Sequence, residues 1–164
     1  MTTTPKYLLA DASSLIILEK SSLLDALKKN FMIYTIPEIR SEVLDQCPSR
    51  DRNHYLALEN LFSSIRIMNL SEASYLSADK KLIFAWSDAF SRRSWNSALL
   101  TDDKKIIRAC IRKKIPFINA LLVPVLLYQA GKIDVKTAYN HLENIQKFAR
   151  YSQEVKDYAL SGLS

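Results

Sequence analysis

Apolar and polar residues follow two patterns along the chain, one typical of short buried strands and the other of amphipathic helices. Strands are predicted at residues 7–10, 31–34, 65–68, 97–101 and 116–118. Helices are predicted at residues 15–19, 23–29, 37–47, 50–64, 72–86, 104–113, 121–130, 135–151 and 153–160. Because strands alternate with helices, we predict an α/β fold, a three-layer α/β/α sandwich with a central parallel sheet of about four to five short strands. The 164 residues suit a single domain, with helices over about residues 121–164 packed on it as a C-terminal extension.

The composition of the chain bears on its partners, its ligand-binding motifs and its cellular compartment. The formal net charge of +6 favours an anionic partner, such as nucleic acid or an acidic peptide. With only two glycines in the chain, a glycine-rich phosphate-binding loop is excluded. The two cysteines, Cys47 and Cys110, are far apart and fit packed thiols in a reducing compartment. No signal peptide or membrane-spanning run is recognisable, so we expect a cytoplasmic protein without a membrane partner.

One acidic residue lies where α/β proteins commonly bind ligands. The apolar stretch at residues 7–10 runs directly into Asp11, and Ser13 and Ser14 follow before the next helical pattern begins. In a parallel sheet, the carboxyl ends of the strands form the edge at which ligands bind. Asp11 therefore either contributes to a metal-dependent site or caps the helix that follows it.

Further carboxylates are predicted near the same edge. Asp102 and Asp103 follow the strand at residues 97–101, while Glu42 and Asp79 lie on helices that could bring them to the same edge. A cluster of carboxylates repels itself unless a cation binds within it. Without a histidine nearby, the set favours Mg²⁺ or Mn²⁺, and such ions suit chemistry at phosphorus.

Four segments, in this order, resemble motifs of the PIN-domain family of metal-dependent ribonucleases. They are residues 7–13, 37–43, 75–85 and 99–103, and residues 115–160 resemble the C-terminal helices of one branch of the family. The resemblance implies an endoribonuclease that hydrolyses RNA with Mg²⁺ or Mn²⁺. PIN proteins of this size in bacteria and archaea are commonly toxins of the VapBC type, which implies a small antitoxin protein as partner and a possible homodimer.

The resemblance also assigns roles to the acids. Asp11 and Asp103 would anchor the metal, Asp79 would bind it directly or through water, and Glu42 would orient the attacking water. Family spacing favours Asp103 over the adjacent Asp102 as the fourth acid, and the other one would cap the following helix. Both are retained as metal-ligand candidates.

Several alternatives stay open. Glu38 competes with Glu42, because a spacing of four residues puts both on one helix face. The basic helix at residues 104–113 either contacts the phosphates of a nucleic acid or is an ordinary solvated face. The segment with Arg92, Arg93 and Trp95 either binds single-stranded RNA or is a variable loop.

Two departures from the family pattern, a long segment at residues 87–96 and the replacement of common glycines by Leu76 and Ala78, motivate a second hypothesis. The fold would then be a catalytically impaired module that binds RNA or protein. A phosphoacceptor receiver domain is a third hypothesis, and it is disfavoured because the acid pair comes late in the chain.

Overall fold

Five parallel strands form one sheet in the computed structural model, which describes residues 4–46, 52–91 and 96–164. The strands within these ranges are β1 (Tyr7–Ala10), β2 (Met32–Thr35), β3 (Arg66–Ile67), β4 (Ser97–Leu100) and β5 (Phe117–Ile118). Their order across the sheet is β3-β2-β1-β4-β5, and every neighbouring pair is parallel. The prediction of an α/β fold with a central parallel sheet is therefore confirmed.

Strand β1 lies at the centre of the sheet. It pairs with β2 on one side and with β4 on the other, so that Leu9 is opposite both Tyr34 and Leu99. Leu8 and Ala10 are fully buried, as expected for a continuous apolar run covered on both faces. The residues that follow these three strands consequently meet at one edge, the carboxyl edge of the sheet.

Helices cover both faces of this sheet. They are α1 (Ala12–Lys20), α2 (Leu24–Asn30), α3 (Pro37–Asp45), α4 (Arg52–Phe62), α5 (Ala78–Ala85), α6 (Lys104–Lys113), α7 (Val123–Gln129), α8 (Val135–Ile145) and α9 (Gln153–Ser161). Helix α1 packs on α3 and α3 on α4, whereas α5 packs on α6. In the C-terminal part, α7 contacts α2 and α8 contacts α1. Among the described residues, no helix combines the length and the apolar character that crossing a membrane requires.

The predicted boundaries of three helices are wrong. The helix predicted at residues 15–19 begins at Ala12, because Asp11 caps it. The helix predicted at residues 72–86 begins only at Ala78, because Ser77 has extended backbone, and a 3₁₀ turn (Ser71–Ala73) precedes it. It then continues past residue 86, where its end was predicted, as a π-helical turn (Trp86–Phe90). The helix predicted at residues 135–151 ends at Ile145, which leaves Tyr151 in the connection to α9.

The described residues include one of the two cysteines and only part of the segment at residues 87–96. Cys110 is a free thiol that is completely buried in α6, and burial raises its pKa to about 11, with a smaller contribution from the negative charge of Asp11. Cys47 lies outside the described residues. The same holds for Arg92, Arg93 and Trp95, so their predicted role in RNA binding stays a prediction.

Candidate functional site

Asp11 lies at the carboxyl end of β1, and its side chain is 2% exposed. Its Oδ1 accepts a hydrogen bond of 3.0 Å from the backbone N–H of Ser14, which caps helix α1. The hydroxyl of Ser13 lies 3.0 Å from Oδ1 and 2.9 Å from Oδ2, and the hydroxyl of Thr101 donates to Oδ2. The two roles considered for Asp11, helix capping and a place at the sheet edge, therefore coexist in one side chain.

Burial governs the protonation of Asp11. Desolvation by burial is the main cause that raises the pKa of its carboxyl group, and the nearby negative charge of Asp102 contributes in the same direction, so that the pKa is about 6 where the ordinary value is 3.8. The hydrogen bonds from Thr101, Ser14 and Ser13 act in the opposite direction, because they stabilise the ionised form. A cation bound beside Asp11 would likewise favour the ionised form.

Asp102 lies close to Asp11, and Ser14 links the two carboxylates. The hydroxyl of Ser14 donates to Asp102 Oδ2 at 2.6 Å, while its backbone N–H donates to Asp11. The backbone N–H of Ala120 also donates to Oδ2 at 2.9 Å, and the hydroxyl of Tyr151 donates to Oδ1 at 2.7 Å. Asp102 thus ties β4 to α1, to the start of the C-terminal helices and to the connection between α8 and α9.

Asp103 has a different environment from Asp102, although the two are adjacent in the chain. Its Oδ1 accepts hydrogen bonds from the backbone N–H groups of Lys105 at 2.6 Å and Ile106 at 3.2 Å. Asp103 is therefore the cap of helix α6, the structural role that the spacing argument had assigned to Asp102. Oδ2 of Asp103 accepts no hydrogen bond within the described ranges and stays available to a ligand.

The two glutamates on α3 differ in their contacts. Glu42, the residue favoured by the PIN resemblance, is exposed to solvent. Glu38, in the first turn of α3, forms an ion pair with Lys81, whose side chain is only 10% exposed. The Lys81 ammonium, through its hydrogen bond and its charge, lowers the pKa of Glu38. This ion pair joins α3 to α5 near the carboxyl edge of the sheet.

Asp79 lies in the first turn of α5, where it is partly exposed. It lines a groove of about 650 Å³ between α5 and α6, together with Lys80 and Lys105. Its role as a metal ligand stays a prediction.

The donor atoms fit a hard cation in their chemistry, although the structure does not collect them into one cage. Among the described residues, no three acids, histidines or cysteines are arranged so that they could hold a metal ion together. An ionised carboxylate offers about four acceptor positions. Among the described residues, three donors reach Asp102, which keeps one position at Oδ1. The Ser13 hydroxyl contacts both oxygens of Asp11, so that all four positions of Asp11 are contacted, and a cation at Asp11 would replace one contact with Ser13. One free carboxylate position suits Mg²⁺, which typically binds one or two carboxylates with water and a substrate phosphate.

Several side chains of this site were not assigned to it from the sequence. Ser14 and Thr101 flank the predicted acids, and their hydroxyls both donate to carboxylates. Tyr151 and Lys81 reach the site from distant parts of the chain. The feature that hinted at Ser14 and Thr101 was their position directly beside Asp11 and Asp102, whereas Tyr151 and Lys81 had no such hint.

Comparison with known proteins assigns the chain to no family. The chain matches no protein-family model, and a search of curated proteins finds no match either. The functional content of the PIN-domain resemblance is therefore a proposal that rests on the residues themselves.

Proposed function

We propose that the protein is a PIN-type endoribonuclease that hydrolyses phosphodiester bonds in RNA with Mg²⁺ or Mn²⁺. The observation that supports this most strongly is the pair of carboxylates, Asp11 and Asp102, at the carboxyl ends of the two neighbouring strands β1 and β4. Both are linked by Ser14, and Asp102 keeps one free acceptor position at Oδ1 among the described residues. Carboxylate pairs of this kind suit a divalent ion that also binds a substrate phosphate.

Each acidic residue has a distinct task in this proposal. Asp11 and Asp102 would hold the metal ion, and Oδ2 of Asp103 would add a further oxygen at the start of α6. When bound, the ion supplies a water of lowered pKa and offsets negative charge on the phosphate. Ser13, Ser14 and Thr101 fix the orientation of the two carboxylates by donating hydrogen bonds to them. Asp79 and Glu42 remain candidates for binding or orienting water.

Replacement of Asp11 by asparagine tests the proposal. Parent protein and Asp11→Asn are incubated with a mixture of single-stranded RNAs in Mn²⁺, and cleavage is followed on a gel. We expect the variant to cleave no more than the parent does in EDTA. Equal cleavage by parent and variant would end the proposal.

Asp134 offers a matched control for this substitution. Like Asp11, it caps a helix by accepting a hydrogen bond from the backbone N–H three residues later, here Thr137 at 2.7 Å. It belongs to the C-terminal helix α8 and makes no contact with the carboxylate pair. Asp134→Asn should therefore cleave RNA as the parent does.

The cellular role that fits a PIN-type nuclease of this size is the toxin of a type II toxin–antitoxin pair. This part of the proposal rests on the resemblance alone. It predicts that expression of the chain arrests growth, that Asp11→Asn relieves the arrest, and that a small protein encoded beside it neutralises the toxin. Harmless overexpression of a protein that cleaves RNA in vitro would contradict the toxin role and leave the nuclease proposal standing.

A second candidate function is a catalytically impaired RNA-binding module. Two contacts favour it: Asp103 is engaged as a helix cap, and the Lys81 ammonium lies beside Glu38 near the edge where an acidic cluster was expected. This alternative predicts RNA binding without turnover at any Mn²⁺ or Mg²⁺ concentration. The cleavage assay above therefore separates the two candidates directly.

A further inference from the structure

A groove of about 650 Å³ runs between helices α5 and α6. One wall contains Lys80, Ile83 and Phe84 of α5 and Ser87 of the π-helical turn that continues it, and the other contains Lys105, Ile106, Ala109, Arg112 and Lys113 of α6. On each helix these positions are mostly three or four residues apart, so each set forms one continuous face. The groove is thus built by two complete helix faces and not by a chance contact of loops.

The groove starts at the candidate site. Helix α6 follows β4 directly, and its capping residue Asp103 precedes Lys105 by two residues. Asp79 lies at the same end of the groove, in the first turn of α5. From Lys105 to Arg112 the groove follows α6 for about 10 Å, at about 1.5 Å per residue. A chain molecule bound in it would therefore reach the carboxyl edge of the sheet.

Positive charge dominates the rim of the groove. Lys80, Lys105, Arg112 and Lys113 are exposed, and none of them forms an ion pair with another described residue. Asp79 is the acidic residue among the lining side chains. Four cations against one carboxylate favour an anionic ligand in this groove.

The floor of the groove is apolar. Ile83 and Ile106 are buried there, and the ring of Phe84 is 37% exposed. An exposed aromatic ring flanked by cations is the arrangement on which single-stranded nucleic acids stack a base while their phosphates contact Lys and Arg. The acidic side chains of a peptide would use the cations, but they have no planar surface to stack on the aromatic ring as a base does.

We infer that the groove between α5 and α6 is a binding track for single-stranded RNA that starts at the cleavage site and extends away from it along α6. Phosphates contact Lys105 and Arg112, and one base stacks on Phe84. The choice of RNA as ligand rests on the proposed nuclease function, whereas the position of the track rests on the geometry of the groove. Binding in the track needs neither a metal ion nor Asp11.

The test measures RNA binding in the absence of cleavage. Full-length Asp11→Asn protein is titrated in EDTA into a fluorescent oligouridylate of about 12 nucleotides. Fluorescence anisotropy gives the dissociation constant at several salt concentrations. Adding Lys105→Glu and Arg112→Glu should weaken binding at least about tenfold and lower the salt slope by about 1.4, at about 0.7 per lost phosphate contact. Lys105→Gln with Arg112→Gln is the milder pair, used if charge reversal disturbs folding.

Lys132→Glu with Lys147→Glu is the matched control. Both lysines are exposed, lie outside the groove and form no ion pair within the described part of the chain, and the change in net charge is identical. This control pair should weaken binding less than about threefold. Equal losses in the groove pair and the control pair would overturn the inference, because binding would then depend on net charge alone.

Phe84 separates RNA from an acidic peptide as the ligand. Phe84→Leu keeps apolar volume but removes the stacking surface, so RNA binding should fall about tenfold, while Phe84→Tyr should bind as the parent does. An acidic peptide that binds more tightly than the RNA and is indifferent to Phe84→Leu would overturn the inference. RNA binding in the groove without any cleavage by the parent contradicts the proposed nuclease function and leaves the track intact.

Discussion

The hydroxyl of Tyr151 donates a hydrogen bond of 2.7 Å to Oδ1 of Asp102, a residue 49 positions earlier in the chain. Burial and the neighbouring carboxylate of Asp102 raise the pKa of Tyr151 above its usual value, so the phenol keeps its proton and stays a donor. The contact fastens the connection between α8 and α9 to the carboxyl edge of the sheet. It makes the C-terminal helices part of the structure that orients the candidate site.

Removal of this phenol should therefore destabilise the fold. We expect Tyr151→Phe to lower the free energy of unfolding by about 2 kcal/mol, because a partly buried carboxylate loses one of its three donors. Urea denaturation measures the change, and Tyr158→Phe is the control, since Tyr158 is 69% exposed. The same small effect in both variants would show that the contact with Asp102 carries no stability.

Substitutions of the two partners in the Glu38–Lys81 ion pair should have unequal effects. Glu38→Gln leaves the ammonium of Lys81 buried without a counter-charge, whereas Lys81→Met leaves Glu38 able to reach water. We expect Glu38→Gln to cost about 2 kcal/mol at pH 7 and Lys81→Met to cost less than half of that. Because Lys81 lowers the pKa of Glu38, the cost of Glu38→Gln should fade as the pH falls below about 4.5.

Denaturation of both variants at pH 7 and at pH 4 checks this asymmetry. A larger loss in Lys81→Met than in Glu38→Gln would mean that packing of the lysine stem, and not its charge, is the main contribution at this position.

The buried carboxyl group of Asp11 should make stability depend on pH. Its pKa of about 6 in the folded state lies above its ordinary value of 3.8, so folding takes up a proton between these pH values. The contribution of Asp11 is present at low pH and is lost as the pH rises through about 6. In EDTA, we expect the stability of Asp11→Asn relative to the parent to increase by about 2 kcal/mol between pH 4 and pH 7.

Urea denaturation at both pH values, on parent and variant, gives this difference. Subtracting the parent removes the opposite pH dependence of Asp134, whose pKa the backbone N–H of Thr137 lowers. A difference that stays constant with pH would show that Asp11 is ionised in the folded protein at pH 4.

Two substitutions at Asp103 separate its capping role from a role in metal binding. Asp103→Ala removes the acceptor for two backbone N–H groups of α6 and should cost about 1 kcal/mol of stability. Asp103→Asn retains the cap and should fold as the parent does, but Mn²⁺-dependent cleavage should fall at least about tenfold if the charge assists the metal. Unchanged cleavage in Asp103→Asn would restrict this residue to capping.

The fold was predictable because its signals are local. The run at residues 7–10 is apolar without interruption, and the structure buries it at the centre of the parallel sheet. Helix α6 was predicted with its exact bounds, Lys104–Lys113, because its apolar residues recur at helical spacing and a capping acid precedes it. Long-range contacts explain the main failure, since Tyr151 leaves the helical pattern and donates its hydroxyl to Asp102.

The candidate site was predictable only in part. The rule that parallel strands end at one edge correctly put Asp11 and Asp102 close together. The edge rule does not tell which of the two adjacent acids, Asp102 or Asp103, lies beside Asp11. The spacing argument assigned the helix cap to Asp102, whereas the structure assigns it to Asp103. The buried lysine at position 81 was unpredictable, because its burial depends on a partner 43 residues away.

A crystal of the protein soaked in Mn²⁺ and measured at the manganese absorption edge tests the central claim most directly. The proposal predicts an anomalous peak about 2 Å from a carboxylate oxygen of Asp11, with Asp102 or Asp103 as a second ligand, and no such peak in Asp11→Asn. A peak confined to other acidic residues, or no peak in crystals that bind RNA, would contradict a metal-dependent site at the end of β1.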